Sequence, residues 1–243
     1  MFGYIIFLFR SINQPDKVDE YHTLQEFFTR AVKPAARPLD TKASIVSPCD
    51  GQVLQIGTIQ KGSGQDAVIE SVKGRSYKLR SLIESDLPEV APNEQRFFMV
   101  LHLRAGDYHW IHAPMQMHVK RTTHMAGYLL PTTWAMLKWV PRLLCANERV
   151  VVESEKCVVT AVGGMGIGSI RLPWEERVHS NVWDWTWQAV QRKYEKGKLF
   201  QRGDALGYFE FGSCVVLIVD LPTTAKCEVQ KMSFVRAGQA LFR

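Results

Sequence analysis

The step Gly212-Ser213-Cys214 stands where Phe209-Glu210-Phe211 gives way to the apolar run Val215–Val219. A glycine carbonyl is unhindered, and a constrained backbone can bring the next hydroxyl onto it. An imidazole acting as base, oriented by a carboxylate, would activate that hydroxyl. The chain supplies both groups elsewhere. Asp50 lies in Ser47-Pro48-Cys49-Asp50-Gly51, and two histidines lie in Asp107-Tyr108-His109-Trp110-Ile111-His112-Ala113-Pro114. The three roles fall to Asp50, to His109 or His112, and to Ser213. Each motif also has a purely structural explanation, since Asp-Gly makes hairpin turns and Gly-Ser entering a strand makes a bulge. Spacing alone does not bring the three together.

Other clusters carry less. His109, His112 and Asp107 lack a third ligand at zinc-site spacing with an open position, so no metal is assigned. On an extended strand the two histidines point to opposite faces unless the chain turns between them. The trio Asn147-Glu148-Arg149 reads as a solvated turn. The glycine-rich stretch 161–169 opens no helix and ends in no lysine, so close backbone approach within a sheet explains it better than a phosphate loop.

These residues must be positioned by 243 residues, of which 46% are hydrophobic and 22% charged. That is ample for one domain with a real core, and it excludes disordered, collagen-like and coiled-coil chains. Short β-branched runs recur between turn residues at 44–47, 52–59, 67–72, 97–103, 117–121, 150–152, 157–162, 169–172, 206–211, 215–219 and 226–232. They predict an α+β, mainly β fold with a sandwich or barrel-like core. A helix is expected over Trp134–Leu144 from its apolar spacing. Another should start near Thr23, whose spacing to Glu26 fits a capping box. Pro34 and Pro38 turn the following segment into an extended arm. Residues 174–198 read as a long, mobile excursion. The expected division is 1–40, a helical, basic, membrane-associating region, and 41–243, a β-rich catalytic domain.

Met1–Phe9 is apolar and aromatic until Arg10 interrupts it, well short of the ~20 residues a spanning helix needs. It lacks the features of a secretion signal or a transit peptide. A buried helix and an interfacial segment anchored by Phe2, Tyr4, Phe7 and Phe9 both remain open, as does a longer precursor cut here. Lys and Arg number 30 against 24 Asp and Glu, a net charge of +6. This suits an anionic partner, and no basic run or motif supports nucleic acid. Arg30, Lys33, Arg37, Lys138 and Arg142 are candidates for contact with an anionic leaflet. The five cysteines form no Cys-x-x-Cys pair, so reduced and mostly buried thiols are expected.

Taken in order, FFTRAVKPAARPLD, SPCDG, AGDYHWIHAP, CANERVVV, AVGGMGIGSIR and FGSC resemble the phosphatidylserine decarboxylase family, in particular its animal mitochondrial type. The resemblance covers the chain from about Tyr21 onward, and the order of six motifs is far more specific than any one. It implies a pyruvoyl-dependent lyase that turns phosphatidylserine into phosphatidylethanolamine and CO2. It also implies a self-processing triad of Asp50, His112 and Ser213, with Asp50 fixing the tautomer of His112. Cleavage between Gly212 and Ser213 would give chains 1–212 and 213–243, which stay associated, and Ser213 would become the pyruvoyl cofactor. His109 would serve the substrate carboxylate and proton transfer. The implied location is a membrane surface, the mitochondrial inner membrane by resemblance. The family's Gly-Ser-Thr signature reads Gly212-Ser213-Cys214 here, and a thiol is a weaker donor than a hydroxyl.

Other classes use the same residues differently. A hydrolase with Ser213 or Cys214 as nucleophile needs no chain cleavage. A lipid-binding homologue that never processes keeps the fold and charge alone.

Overall fold

The computed structural model describes residues 21–59, 68–70, 76–164, 169–178, 180–181, 188–210 and 213–243. The apolar segment Met1–Phe9 lies outside them. The strands are β1 (Ile45–Val46), β2 (Gly51–Ile59), β3 (Val68–Glu70), β4 (Ser76–Lys78), β5 (Glu94–Leu103), β6 (Trp110–His112), β7 (Met117–Met125) and β8 (Arg149–Glu153). They continue as β9 (Cys157–Gly163), β10 (Ile170–Arg171), β11 (Ala189–Phe200), β12 (Ala205–Phe209), β13 (Ser213–Pro222), β14 (Phe234–Val235) and β15 (Ala240–Phe242). Among the described residues four short α-helices accompany them: α1 (Leu24–Thr29), α2 (Leu79–Ile83), α3 (Trp134–Trp139) and α4 (Leu143–Ala146). The fold is mainly β, as the recurring β-branched runs predict.

An eight-stranded sheet in the order β11-β7-β8-β9-β13-β5-β2-β14 forms the body. Every neighbouring pair in it is antiparallel. β13 lies within this sheet, and its apolar run is buried on both faces. Side chains alternate along a strand, so Val215, Leu217 and Val219 enter one core while Cys214, Val216 and Ile218 enter another. The first core is closed by the three-stranded sheet β10-β12-β6 and the pair β1-β15, through Ile111, Ile170, Phe209, Ile45 and Phe242. The second is covered by α2 and α4 through Leu82, Ile83, Leu143 and Leu144.

Several expectations need correction. The helix expected over Trp134–Leu144 is two helices, broken at Val140-Pro141. Val140 is extended with ψ 110° and Arg142 has φ 57°, as a proline disfavours helix in the residue before it. Residues 226–232 are no strand. Residues 226–228 run beside β15 with a single bridge, Cys227 to Phe242, and the chain then leaves it for the start of β2. The excursion expected over 174–198 contains β11, a twelve-residue strand paired to β7. The trio Asn147-Glu148-Arg149 is buried and not solvated. The arm after α1 holds a single 3-10 turn, Pro34–Ala36.

Candidate active site at one end of the large sheet

The antiparallel register brings separate motifs to one edge. Ser213 opens β13 and pairs with Leu103, the last residue of β5, and with Gly163, the last of β9. Gly51 opens β2 beside them, with Gln52 paired to His102. Only glycine fits there, since a Cβ at Gly51 would lie 2.9 Å from the His102 carbonyl oxygen. Asp50-Gly51, His102-Leu103, Gly163 and Ser213 thus share one end of the sheet. Burial pushes the Cys49 thiol well up, and Asp50, Cys214 and Asp107 push it further. One buried thiol therefore feels groups from three of the motifs.

The Gly163 strand end is fixed from outside the ladder. Asn147 Nδ2 donates to the Gly163 carbonyl at 2.8 Å and to the Leu130 carbonyl at 2.8 Å, while its Oδ1 accepts from Leu130 N–H. The Gly163 N–H in turn donates to the Glu148 carbonyl.

Helix α1 sets the loop that carries the histidines. Its capping box is complete: Thr23 Oγ1 accepts from Glu26 N–H, and the Glu26 carboxylate accepts from Thr23 N–H. The next turn projects Phe28 onto the His109 ring, with centroids 4.8 Å apart. The Trp110 indole donates to the Thr29 carbonyl, and Arg30 donates to the carbonyls of Phe27 and Gly106. Asp107 closes the loop by accepting from Arg104 N–H and its guanidinium.

His109 is fully buried, and its Nδ1–H donates to the Asp107 carbonyl at 2.8 Å. Its Nε2 is buried with no hydrogen-bond partner among the described residues. Burial lowers its pKa to about 4, against the smaller opposing effect of that carbonyl. It is thus a neutral imidazole whose acceptor lone pair is left open, and such a buried polar atom requires a reason.

His112 faces a different space, a cavity of about 360 Å³ lined by Arg37, Tyr108, Arg202, Asp204 and Ala237 among others. Its Nδ1 lies 2.8 Å from the Gly203 carbonyl, which can only accept, so Nδ1 carries the proton. Gly203 reaches this position with φ 92°, a conformation that favours glycine. Nε2 then accepts from the Tyr108 hydroxyl at 3.0 Å. Burial lowers the His112 pKa, opposed by the Gly203 carbonyl and by Asp50 and Asp204. The imidazole is therefore held neutral with its basic nitrogen towards Tyr108.

Asp50 does not touch His112. Its carboxylate accepts both Nε and Nη2 of Arg37, and Oδ1 also accepts the Ala237 N–H at 2.9 Å. The tautomer expected to be fixed by Asp50 is fixed here by Gly203. Arg37 and Arg30 are correspondingly not leaflet contacts, for both guanidiniums are turned inward. The sequence does not reveal the roles of Tyr108 and Gly203 beside His112, nor the partnership of Arg37 with Asp50. The clue to the last was an arginine between two prolines, a rigid arm suited to placing one side chain.

The fold and this sheet end define a mainly β protein whose Gly-Ser strand start shares its edge with a carboxylate motif, and whose imidazole loop is locked down nearby. Residues 24–243 match the family model described as phosphatidylserine decarboxylase, and the chain belongs to that family. It is 30% identical to the mitochondrial phosphatidylserine decarboxylase proenzyme of Pongo abelii, over 93% of this chain and 61% of that protein. It is 33% identical to the proenzyme of Marinobacter nauticus, over 82% of this chain and 69% of that protein. It is 32% identical to the proenzyme of Chromobacterium violaceum, over 91% of this chain and 78% of that protein. The chain thus spans about three fifths of the length of the animal relatives it matches.

Proposed function

We propose that this chain is a decarboxylase that converts phosphatidylserine into phosphatidylethanolamine and CO2, using a pyruvoyl group made from its own Ser213. The observation that carries the reading is the register of β13. It starts at Ser213, at the sheet end where Asp50-Gly51 and Gly163 also lie. The proenzyme names of its relatives support the processing step. The residues present fit the group, because Ser213 follows Gly212 at that strand start and the loop beside it holds a buried imidazole nitrogen still open to a donor. When formed, a pyruvoyl carbonyl supplies the electron sink that loss of CO2 from an α-amino acid requires and that no side chain provides.

The chain's own residues divide the remaining work. His112 is the base for the Ser213 hydroxyl, in the tautomer that makes Nε2 the acceptor, a role in which the serine must take the place that the Tyr108 hydroxyl now holds. Asp50, anchored by Arg37, supplies a fixed negative charge that favours the imidazolium formed when that proton arrives. His109, shielded from water, serves proton transfer at the reacting carbon, its open Nε2 taking up a proton before returning it there. Chains 1–212 and 213–243 remain associated. The site of action is a membrane surface; the names of the animal relatives favour the mitochondrion, and its inner membrane rests on the sequence resemblance. No helix among the described residues is long and apolar enough to span a bilayer.

A thiol hydrolase fits less well. Cys214 is fully buried, and burial pushes its thiol up, away from the thiolate a nucleophile needs. Intact mass and blocked-end sequencing test the proposal. The wild type should appear as two fragments, 1–212 and 213–243, the smaller one refractory to N-terminal sequencing. Ser213→Ala should stay one chain and release no CO2 from phosphatidylserine. A wild type that remains one full-length chain overturns the reading.

A further inference from the structure

The outer rim of the sheet end that carries Ser213 is aromatic, apolar and basic together. Among the described residues, Tyr128, Trp139, Met232 and Phe234 are exposed large side chains on this rim. Helix α3 (WAMLKW) packs Trp134, Met136 and Leu137 half-buried against the second core and leaves Trp139 exposed. Cations stand over rings along the same arc. Lys138 Nζ lies 5.6 Å from the Trp139 centroid, Lys231 Nζ 4.5 Å from that of Trp134, and Arg104 Cζ 4.6 Å from that of Phe234.

This rim is tied to the site. Thr132, just before α3, reaches the His102 ring with Oγ1 3.4 Å from Nδ1. The loop 231–234 is pinned to the start of β2, where Met232 N–H donates to the Val53 carbonyl and Ser233 accepts from Val53 N–H. Water gains nothing from tryptophan and methionine set beside lysine. A bilayer interface accommodates both, with rings at headgroup depth and ammonium groups against anionic phosphates.

We propose that the rim formed by α3 and the 231–234 loop is the face that docks on an anionic lipid bilayer, turning the Ser213 end of the sheet towards the lipid. The inference deepens the decarboxylase reading and rests on it for the substrate, but its test does not. The full chain is sedimented with vesicles of phosphatidylcholine containing phosphatidylglycerol, an anionic lipid that is not the proposed substrate. The triple variant Lys138→Glu/Trp139→Ala/Lys231→Glu should bind on the order of tenfold more weakly or worse. The variant Lys193→Glu/Lys196→Glu, on exposed positions of β11, should bind nearly as the wild type does.

Fragment formation and turnover of a dispersed short-chain phosphatidylserine should be unchanged in the triple variant, while turnover in vesicles falls with binding. Equal binding by the triple variant and the wild type overturns the proposal. So does an equal loss in the β11 variant, or abolished binding on deleting residues 1–12 while the triple variant still binds. A wild type that binds these vesicles but never decarboxylates would sink the enzyme reading and leave the docking face standing.

Discussion

Arg37 meets Asp50 fork to fork: Nε lies 2.7 Å from Oδ1 and Nη2 2.5 Å from Oδ2, with both side chains almost wholly withdrawn from solvent. The guanidinium comes from the arm after α1, the carboxylate from the residue before β2, so this pair ties the N-terminal arm to the sheet end. Breaking one side of a buried pair leaves the other charge unpaired, at a cost of about 3–5 kcal/mol. Arg37→Leu should therefore lower unfolding free energy by about that much and slow release of the 213–243 fragment. Arg37→Lys keeps the charge but loses the fork, and should process at an intermediate rate. Urea unfolding in a Ser213→Ala background, with fragment formation in the native sequence, checks both. Normal processing in Arg37→Leu would show that Asp50 needs no anchor.

The two histidines should separate cleanly. His112→Ala and Asp50→Ala should accumulate uncleaved chain, because on the proposed roles the serine loses its base or the charge that favours the protonated base. His109→Ala should still yield some 213–243 fragment, yet turn over substrate far more slowly per pyruvoyl group. Hydrazine labelling counts the groups, and labelled CO2 from the serine carboxyl counts turnover. Normal turnover per group in His109→Ala would refute its assignment.

His109 also makes stability depend on pH in a defined sense. Folding lowers its pKa to about 4, whereas an unfolded histidine titrates near about 6.5. Between those values the unfolded chain binds a proton that the folded chain refuses. Its contribution is thus complete above about pH 6.5 and is lost as pH falls towards 4, a swing on the order of 3 kcal/mol. In Ser213→Ala chains, the fall in stability from pH 7 to pH 4.5 should be larger with His109 than with His109→Gln. Equal falls would mean that the ring titrates normally.

Asn147 spends its amide on Gly163 and Leu130. Asn147→Ala strands buried backbone groups at about 1–3 kcal/mol each, and frees the strand end that pairs with Ser213. Lower thermal stability and slower cleavage should appear together. A destabilised variant that cleaves at the normal rate would separate the fold from the chemistry.

Thiol chemistry gives a direct reading of the core. Cys227 is exposed, whereas Cys49, Cys157 and Cys214 are buried, and burial pushes the thiols of all three up. Iodoacetamide should modify Cys227 first and leave Cys214 untouched in the native protein, as peptide mass mapping would show. Rapid alkylation of Cys214 with loss of activity would return the hydrolase to consideration.

What the sequence made legible follows from the range of the forces involved. The capping box at Thr23 and Glu26 is local, and it forms as read. β13 announces itself by an apolar run that only a doubly covered strand can bury. β11 did not, because an edge strand keeps its charged residues in water and carries little hydrophobic signal. The apolar spacing over Trp134–Leu144 runs straight through Pro141, where backbone sterics outweigh it. At the site, the motifs were visible as residue types, but their partners were not. The choices of Arg37 for Asp50 and of Gly203 for His112 are long-range pairings that spacing does not encode.

The ladder around β13 has a consequence for the life of the molecule. Residues 213–243 supply β13, β14 and β15, so a cut before Ser213 leaves the smaller piece woven between β5 and β9 with its hydrogen bonds intact. Assembly happens once, while the polypeptide is continuous and the strand is delivered by its own chain. After the cut, recovery from unfolding becomes a second-order encounter between two peptides, and the piece that must find its slot is an aggregation-prone apolar strand. The uncut Ser213→Ala chain should regain its fold at a rate independent of dilution, whereas the matured pair should fail progressively as it is diluted. Under the proposed processing, maturation would act as a one-way ratchet, and an active molecule lost to unfolding would be replaced only by fresh synthesis.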